Sequence, residues 1–185
     1  MKKDIVWKGL EVLSLEHLNI NYEKDYIKMD SVIVKEDVPL RIYYEIYCNI
    51  HWEVKRVNIK RNDNEVKNIC IISEEQGIWK YENGEEVNDL KGCIDIDISA
   101  TPFTNTLPIK RLSLNEGESR NIRVVYIDVD NFTLKSMKQR YTYISSSLEG
   151  CKYKYENLES GFNEEIIVDK DSLVVDYPNL FKRIK

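Results

Sequence analysis

Apolar and polar residues alternate along most of this 185-residue chain, in short runs separated by clusters of Asn, Asp and Gly. Because successive side chains of a β-strand point to opposite faces, alternation with a period of two is typical of half-buried strands. Asn, Asp and Gly adopt turn conformations at low cost, so the clusters predict where strands end. The pattern predicts strands over residues 10–20, 26–35, 40–50, 52–61, 66–73, 77–82, 93–98, 120–129, 132–146, 151–156, 163–168 and 172–177.

The connections between these runs are too short for helical crossovers, so we expect neighbouring strands to pair antiparallel as a meander. Helical signals are weak. Residues 85–91 could form two turns that end at Gly92, and Thr101-Pro102 could cap a helix that Pro108 limits to one or two turns. Residues 177–183 could hold a last helical turn.

The composition agrees with a β-rich fold. The chain has 22 Ile, 15 Val and 12 Tyr but a single alanine, Ala100, and β-branched and aromatic side chains favour strands. A sheet of about ten strands curls or closes because its twist accumulates, and a curled sheet can leave room for a ligand. We therefore expect a mainly β fold, in which a curved antiparallel sheet forms a partly open β-barrel with a few short helices, in one domain of residues 1–185.

Charge and cysteine content exclude several classes of protein. The net charge of −5 argues against a nucleic-acid binder, which needs a basic footprint. No apolar run is long enough to span a membrane, and Asp4, Lys8 and Glu11 interrupt any export signal, so we expect a cytoplasmic protein without an integral membrane segment. The four cysteines are then reduced thiols, and the Cys and His spacings predict neither a metal site nor a cofactor.

Residues 92–112, with the sequence GCIDIDISATPFTNTLPIKRL, carry the densest chemistry. Two aspartates share one face of a strand, and three of the chain's five threonines follow within residues 101–106. Carboxylates, hydroxyls and amides at this density suit hydrogen bonding to a polyol or sugar. The alternatives are that the aspartates face water and that the threonines only cap a turn. The candidate ligand-binding residues of this segment are Asp95, Asp97, Thr101, Thr104, Asn105, Thr106 and Arg111.

The same segment resembles the signature of a bacterial family of putative glycolipid-binding proteins. Further blocks that resemble this family lie along nearly the whole chain: residues 7–11, 41–46 with Trp52 and Arg56, 76–79, 140–142, 168–169, 173–178 and 181–183. The resemblance implies a curved, partly open β-barrel, similar in outline to bacterial lipoprotein carriers that hold acyl chains. It also implies an amphipathic, glycolipid-like ligand.

Aromatic and basic residues supply the remaining candidates. Trp52, Val54, Arg56 and Asn58 are predicted to share one strand face, where Arg56 could bind a phosphate or carboxylate while the Trp52 indole stacks on a sugar or acyl chain. Five aromatic residues could line the cavity, or could serve only as packing: Trp79, Tyr44, Tyr126, Tyr141 and Tyr177. We expect Arg111 to join Asp95 or Asp97 in an ion pair at the cavity mouth, either as part of the site or as a structural lock.

Three functions are compatible with these residues, and the first is favoured. It is non-catalytic binding of an amphipathic small molecule, such as a glycolipid, in the β-barrel cavity. The second is hydrolysis of a glycoside or phosphate ester by Asp95 and Asp97, whose Cα atoms lie about 7 Å apart on one strand; no nucleophile elbow, metal triad or phosphate loop accompanies them. The third is a protein-interaction module, for which the sequence names no partner.

Overall fold

The computed structural model describes residues 2–36 and 40–185, without the side chain of Gln76. In these ranges fourteen strands form one sheet. The strands are β1 (Lys2–Gly9), β2 (Ser14–Tyr22), β3 (Tyr26–Lys35), β4 (Arg41–Asn49), β5 (Val54–Asn62), β6 (Val66–Ser73), β7 (Trp79–Tyr81), β8 (Asp95–Ile98), β9 (Ser119–Asp128), β10 (Thr133–Ser147), β11 (Gly150–Asn157), β12 (Asn163–Val168), β13 (Val174–Tyr177) and β14 (Phe181–Arg183). One α-helix, α1 (Thr106–Leu112), and 3-10 turns at Glu75–Gly77, Asn88–Leu90 and Phe103–Asn105 complete the described elements.

The strand order is β7-β6-β5-β4-β3-β2-β1-β14-β13-β12-β11-β10-β9-β8, so β1 pairs with the C-terminal β14 and each half of the chain forms its own meander. Every neighbouring pair is antiparallel except β8 and β9, which are parallel. The mainly β, curved, antiparallel-rich sheet confirms the predicted fold class, and its edge strands β7 and β8 do not pair, so the barrel is not closed.

The ends of the chain differ from prediction. The alternation predicts the first strand at residues 10–20. In the structure a further strand, β1, precedes them and forms a hairpin with β2, in which Lys2 pairs with Asn21 at one end and Gly9 with Ser14 at the other. Lysines and Asp4 interrupt the apolar alternation of β1, because its outer side chains face water. The tail is strand β14, not a helical turn, since Trp7 to Gly9 offer it a pairing edge. The predicted helix at 85–91 is reduced to the 3-10 turn Asn88–Leu90.

A β-bulge corrects the predicted faces of β5. Cys48 pairs with Val54 while its neighbour Tyr47 pairs with Arg56, so Lys55 is an extra residue. A bulge of this kind switches the side-chain alternation of a strand. Val54 is therefore buried in the core, whereas Arg56 points outward, and the two do not share a face.

The parallel pairing of β8 and β9 requires a long crossover, and this crossover fills the inside of the curved sheet. Every residue of 100–109 is buried, although the segment contains Thr, Asn and Pro. Helix α1 has seven residues, within the predicted one or two turns, but it begins at Thr106 rather than after Thr101. Pro108 lies in its first turn, where a missing N–H removes no intrahelical bond, so it does not end the helix.

Two apolar cores meet at this segment. Phe103 and Leu107 belong to the larger core, which β1–β5 and one face of β8 and β9 build. Ile109 belongs to the smaller core, which consists mainly of tyrosines and aliphatic residues of β10–β13. The curved sheet is therefore packed around its own chain, and the polar side of the segment lies between the two cores.

Candidate functional site

A cavity of about 200 Å³, the inner cavity, lies where the residue 99–105 turn faces the C-terminal strands. Polar groups of the β8 end and the turn form one wall, and aromatic rings of β9, β11, β13 and β14 form the other. The lining residues are Asp97, Ile98, Ser99, Thr101, Asn105, Tyr126, Tyr155, Asn157, Phe162, Tyr177, Leu180 and Phe181. Three of the seven candidates in residues 92–112 therefore meet at one cavity.

Asp97 is the centre of a buried hydrogen-bond network. Its Oδ1 accepts the Thr104 hydroxyl at 3.2 Å, and its Oδ2 accepts the Gln139 amide at 2.7 Å. The same Gln139 amide approaches the Tyr155 hydroxyl at 3.0 Å, while Gln139 Oε1 is buried without a partner. The network fixes the carboxylate of Asp97 against the aromatic wall.

Burial sets the protonation of this network. It raises the pKa of Asp97, although hydrogen bonds from Gln139 and Thr104 oppose the shift. Burial, together with the nearby Asp97 charge, also raises the pKa of Tyr155 and Tyr177. Both phenols therefore stay neutral over the physiological range. The Tyr155 hydroxyl also hydrogen-bonds Asp97, whereas the Tyr177 hydroxyl can donate to a ligand oxygen.

The remaining polar residues of the turn hold its backbone in place. Thr101 accepts the Phe103 N–H at 3.0 Å, and Asn105 donates to the Pro102 carbonyl at 3.0 Å. Asn105 Oδ1 accepts the buried Tyr141 hydroxyl at 2.8 Å. Thr106 does not reach the cavity; its hydroxyl donates to the Ser172 carbonyl at 2.9 Å. Turn capping, one of the sequence alternatives, thus coexists with cavity lining.

Asp95 forms a structural ion pair with Arg111. The Arg111 guanidinium donates to Asp95 Oδ1 at 2.9 Å and to Oδ2 at 2.6 Å, and Asp95 is fully buried. Burial raises the pKa of Asp95, and the bidentate Arg111 opposes that shift. Asp95 is held by Arg111, has no exposed surface and does not line the inner cavity with Asp97, so the predicted two-aspartate hydrolase loses one of its two carboxylates.

Glu16 is a buried carboxylate that the sequence analysis did not select. Its Oε1 accepts the Tyr44 hydroxyl at 2.5 Å and the Ser31 hydroxyl at 2.9 Å, while Oε2 is buried without a partner. Burial raises its pKa to about 7, against hydrogen bonds that include one from Thr101. Glu16 has the same parity on β2 as Leu18 and Ile20, so the alternation could have identified it as an inward-facing carboxylate.

Four sequence candidates lie away from the inner cavity. Arg56 is exposed and donates to Glu82 at 2.6 Å. Trp79 is buried and donates to the Cys93 carbonyl at 2.8 Å, so it serves as packing. Trp52, in a left-handed turn with φ of 64°, packs edge-on against Tyr22 under the Lys110 ammonium. Tyr44 is buried beside Glu16. Its hydroxyl lies 3.5 Å from the Thr101 hydroxyl, and Thr101 in turn lines the inner cavity.

Among residues 2–36 and 40–185, no group of three or more His, Cys, Asp or Glu side chains is arranged to hold a metal ion. In the same ranges, no helix has the length and apolar character needed to cross a membrane.

Fold and cavity together define a mainly β protein, in which an open, curved sheet encloses a helical segment and leaves a small polar and aromatic recess. A family model described as "Putative glycolipid-binding" matches residues 4–183. The chain belongs to this family, as the resemblance of residues 92–112 indicated.

A solved structure shows the same architecture. The chain is similar to a duf1089 family protein from Pseudomonas aeruginosa, whose crystal structure was determined at 1.80 Å resolution, with a TM-score of 0.80 and 32% sequence identity. The similarity covers 91% of this chain and 92% of the other. No curated protein matches the sequence.

Proposed function

We propose that the protein binds the saccharide headgroup of a glycolipid in the inner cavity, without catalysing a reaction. One observation carries the proposal: the buried Asp97 network faces the rings of Tyr155 and Tyr177 across a single small cavity. A carboxylate and amides accept sugar hydroxyl protons, the neutral phenol of Tyr177 donates to a sugar oxygen, and aromatic rings cover the apolar faces of a sugar ring. The family description supports the same class of ligand.

The size of the cavity favours a headgroup over an acyl chain. Its volume of about 200 Å³ lies below the roughly 300–1,000 Å³ of pockets that enclose drug-sized ligands. The larger core behind it is filled by Phe103 and Leu107, both fully buried. We therefore place no acyl chain inside the sheet, in contrast to the expected carrier-like barrel.

An apolar rim offers a place for the lipid tail. Phe162, Leu180 and Phe181 form the edge of the inner cavity, and Phe162 is 43% exposed. The Leu180 carbonyl accepts the Leu10 N–H at 2.9 Å, which brings the exposed β1–β2 hairpin next to this rim. Leu10, Val12 and Leu13 of that hairpin are all more than 40% exposed, so apolar surface continues outward from the polar cavity.

Calorimetric titration with dodecyl maltoside below its micelle concentration tests the proposal. Asp97→Asn should weaken binding about tenfold, since a charged acceptor becomes a neutral amide. Asp176→Asn is the matched control, because Asp176 pairs with Lys182 outside the cavity. Thermal unfolding confirms that each variant is folded. Equal affinity of wild type and Asp97→Asn would refute the proposed site, as would the absence of any binding or of co-purified lipid in organic extracts.

A further inference from the structure

A second cavity, of about 450 Å³, lies on the outer face of β2–β5, on the side of the sheet opposite the core. We call it the outer cavity. Its lining residues are His17, Asn19, Lys28, Asp30, Ser31, Val32, Tyr43, Tyr44, Glu45, Asn58 and Lys60. Inward-facing neighbours on the same strands, such as Ile42 and Ile59, are fully buried, so the sheet itself separates this cavity from the interior.

Strand register builds the cavity from an ordered row of polar residues. Asp4 pairs with Asn19, Asn19 with Asp30, Asp30 with Glu45, and Glu45 with Asn58. Directly opposed residues of neighbouring strands lie about 5 Å apart. The row therefore places three carboxylates and two amides across five strands at regular spacing. A neighbouring row sets Tyr43 opposite Lys60.

Part of this lining is satisfied within the protein. Lys28 pairs with Glu45 at 2.6 Å, and Asn19 donates to Asp4 at 2.8 Å. Another part is not. Within the described ranges, Asp30, Tyr43 and Lys60 have no side-chain hydrogen bond or ion pair, and Asn58 Oδ1 is buried without a partner.

A buried carbonyl oxygen without a partner costs free energy unless something supplies a donor. Asn58 lines the outer cavity, so rotation of its amide would turn Oδ1 toward a bound hydroxyl. Asp30, two strands away across Glu45, adds a second acceptor to the same cavity and Lys60 a donor, while the Tyr43 ring, 39% exposed, offers a face for stacking. Hydrogen-bond acceptors and a donor without protein partners, placed near one exposed aromatic ring, can recognise the neighbouring hydroxyl groups of a sugar.

We propose that the outer cavity is a second binding site, which takes a neutral saccharide of one or two rings. The charges of Lys28 and Lys60 balance those of Asp30 and Glu45, which favours an uncharged ligand over an ionic one. No described acidic group has the geometry of a metal site. The volume falls in the range of small-molecule pockets. This site is separate from the inner cavity, and either can fail without the other.

Nitrogen-15 NMR titration with maltose and with octyl maltoside below its micelle concentration tests this site. Backbone amides of β3–β5 around Asp30, Tyr43 and Asn58 should shift. Tyr43→Ala and Asn58→Ala should each weaken binding about tenfold, as expected for the loss of one ring contact or one hydrogen bond to a ligand. Tyr81→Ala is the matched control, because Tyr81 is similarly exposed, at 37%, but lies on the edge strand β7.

Equal affinity for maltose and octyl maltoside, with the same shifts, would identify a free saccharide as the ligand class. Tighter binding of octyl maltoside would identify a lipid headgroup. The proposal is overturned if neither compound shifts these amides, or if Tyr43→Ala and Asn58→Ala bind as tightly as Tyr81→Ala. Tyr43 is exposed, so Tyr43→Ala is expected to fold. The test therefore remains decisive even if Asn58→Ala fails to fold.

Discussion

The inner and outer cavities contain the same kinds of polar side chain, but they differ in whether those side chains are hydrogen-bonded within the protein. In the inner cavity, Asp97 and Asn105 are each hydrogen-bonded to other residues of the protein. In the outer cavity, Asp30 and Lys60 have no such partner in the described ranges, and Asn58 has a buried, unpaired oxygen. Polar residues of the inner cavity therefore stabilise the fold as well as lining the proposed site, whereas Asp30 and Lys60 of the outer cavity are free to bond a ligand.

Glu16 connects the two regions. Tyr44 and Ser31, which donate to its Oε1, also line the outer cavity, and Thr101 lines the inner cavity. Substitutions of the hydrogen-bonded inner residues should thus change stability, and substitutions of outer residues without a protein partner, such as Tyr43, should change binding alone. Each of the following experiments can contradict that division.

Removal of the buried ion pair should have the largest effect. Asp95→Ala leaves the Arg111 guanidinium, which is 17% exposed, without its carboxylate. Loss of one partner of a fully buried pair costs about 3–5 kcal/mol, and because Arg111 retains contact with solvent we expect the lower end, about 3 kcal/mol. Urea denaturation should show this loss. Glu82→Ala breaks the exposed pair with Arg56 and serves as the control, with little change expected. An equal effect of the two variants would show that Asp95 does not lock α1 to β8.

The pH dependence of stability should come next in size. The pKa of Glu16 is raised in the folded state to about 7, from its ordinary 4.5. The folded state therefore holds this proton more tightly than the unfolded chain, and the stabilisation that Glu16 contributes is complete below pH 4.5 and is lost as the pH rises through 7. From pH 5 to pH 8 we expect a loss of about 2 kcal/mol from this group.

Glu16→Gln should flatten that part of the profile, measured by urea denaturation at each pH, because the amide does not titrate. Glu45→Gln, on the outer face of the same wall, is the control and should leave the slope in place. A slope unchanged in Glu16→Gln would mean that Glu16 does not titrate in this range.

A single buried hydrogen bond should have a smaller effect. Tyr141→Phe leaves Asn105 Oδ1 buried without its donor, at a cost of about 1–2 kcal/mol. Tyr43→Phe removes a hydroxyl from the outer face that bonds to no described residue, so its free energy of unfolding should match that of the wild type. If Tyr43→Phe lost as much stability as Tyr141→Phe, the contrast between the cavities would be wrong.

The sequence predicted the fold class because alternation and turn residues are local signals. It also predicted a ligand site in residues 92–112. Asp97, Thr101 and Asn105 line one cavity, and their role in binding a ligand stays a prediction. It could not show that residues 100–109 are buried on all sides, since their Thr, Asn and Pro content is typical of an exposed turn. Burial of this segment depends on the parallel pairing of β8 with β9, a contact across twenty intervening residues.

Local sequence patterns could not predict the outer cavity either. Asp4, Asn19, Asp30, Glu45 and Asn58 are spaced irregularly along the chain, and each reads alone as an exposed polar residue of a strand. Only the register of four strand pairs aligns them in one row. The predicted faces of β5 were wrong for a related reason. The extra residue Lys55 reverses the alternation between Val54 and Arg56, and composition gives no sign of such a bulge.

The smallest effect is expected from Arg56→Ala, and it tests the sequence hypothesis for this residue. Arg56 was predicted to bind a ligand together with Trp52, but the bulge turns it outward onto Glu82, and it lines neither cavity. An exposed pair of this kind contributes at most about 1 kcal/mol. Affinities for dodecyl maltoside and maltose should be unchanged, in contrast to Asp97→Asn and Tyr43→Ala. Weaker binding of either compound by Arg56→Ala would place Arg56 in a site after all, and would show that ligands reach beyond the two cavities along the outer face of β5.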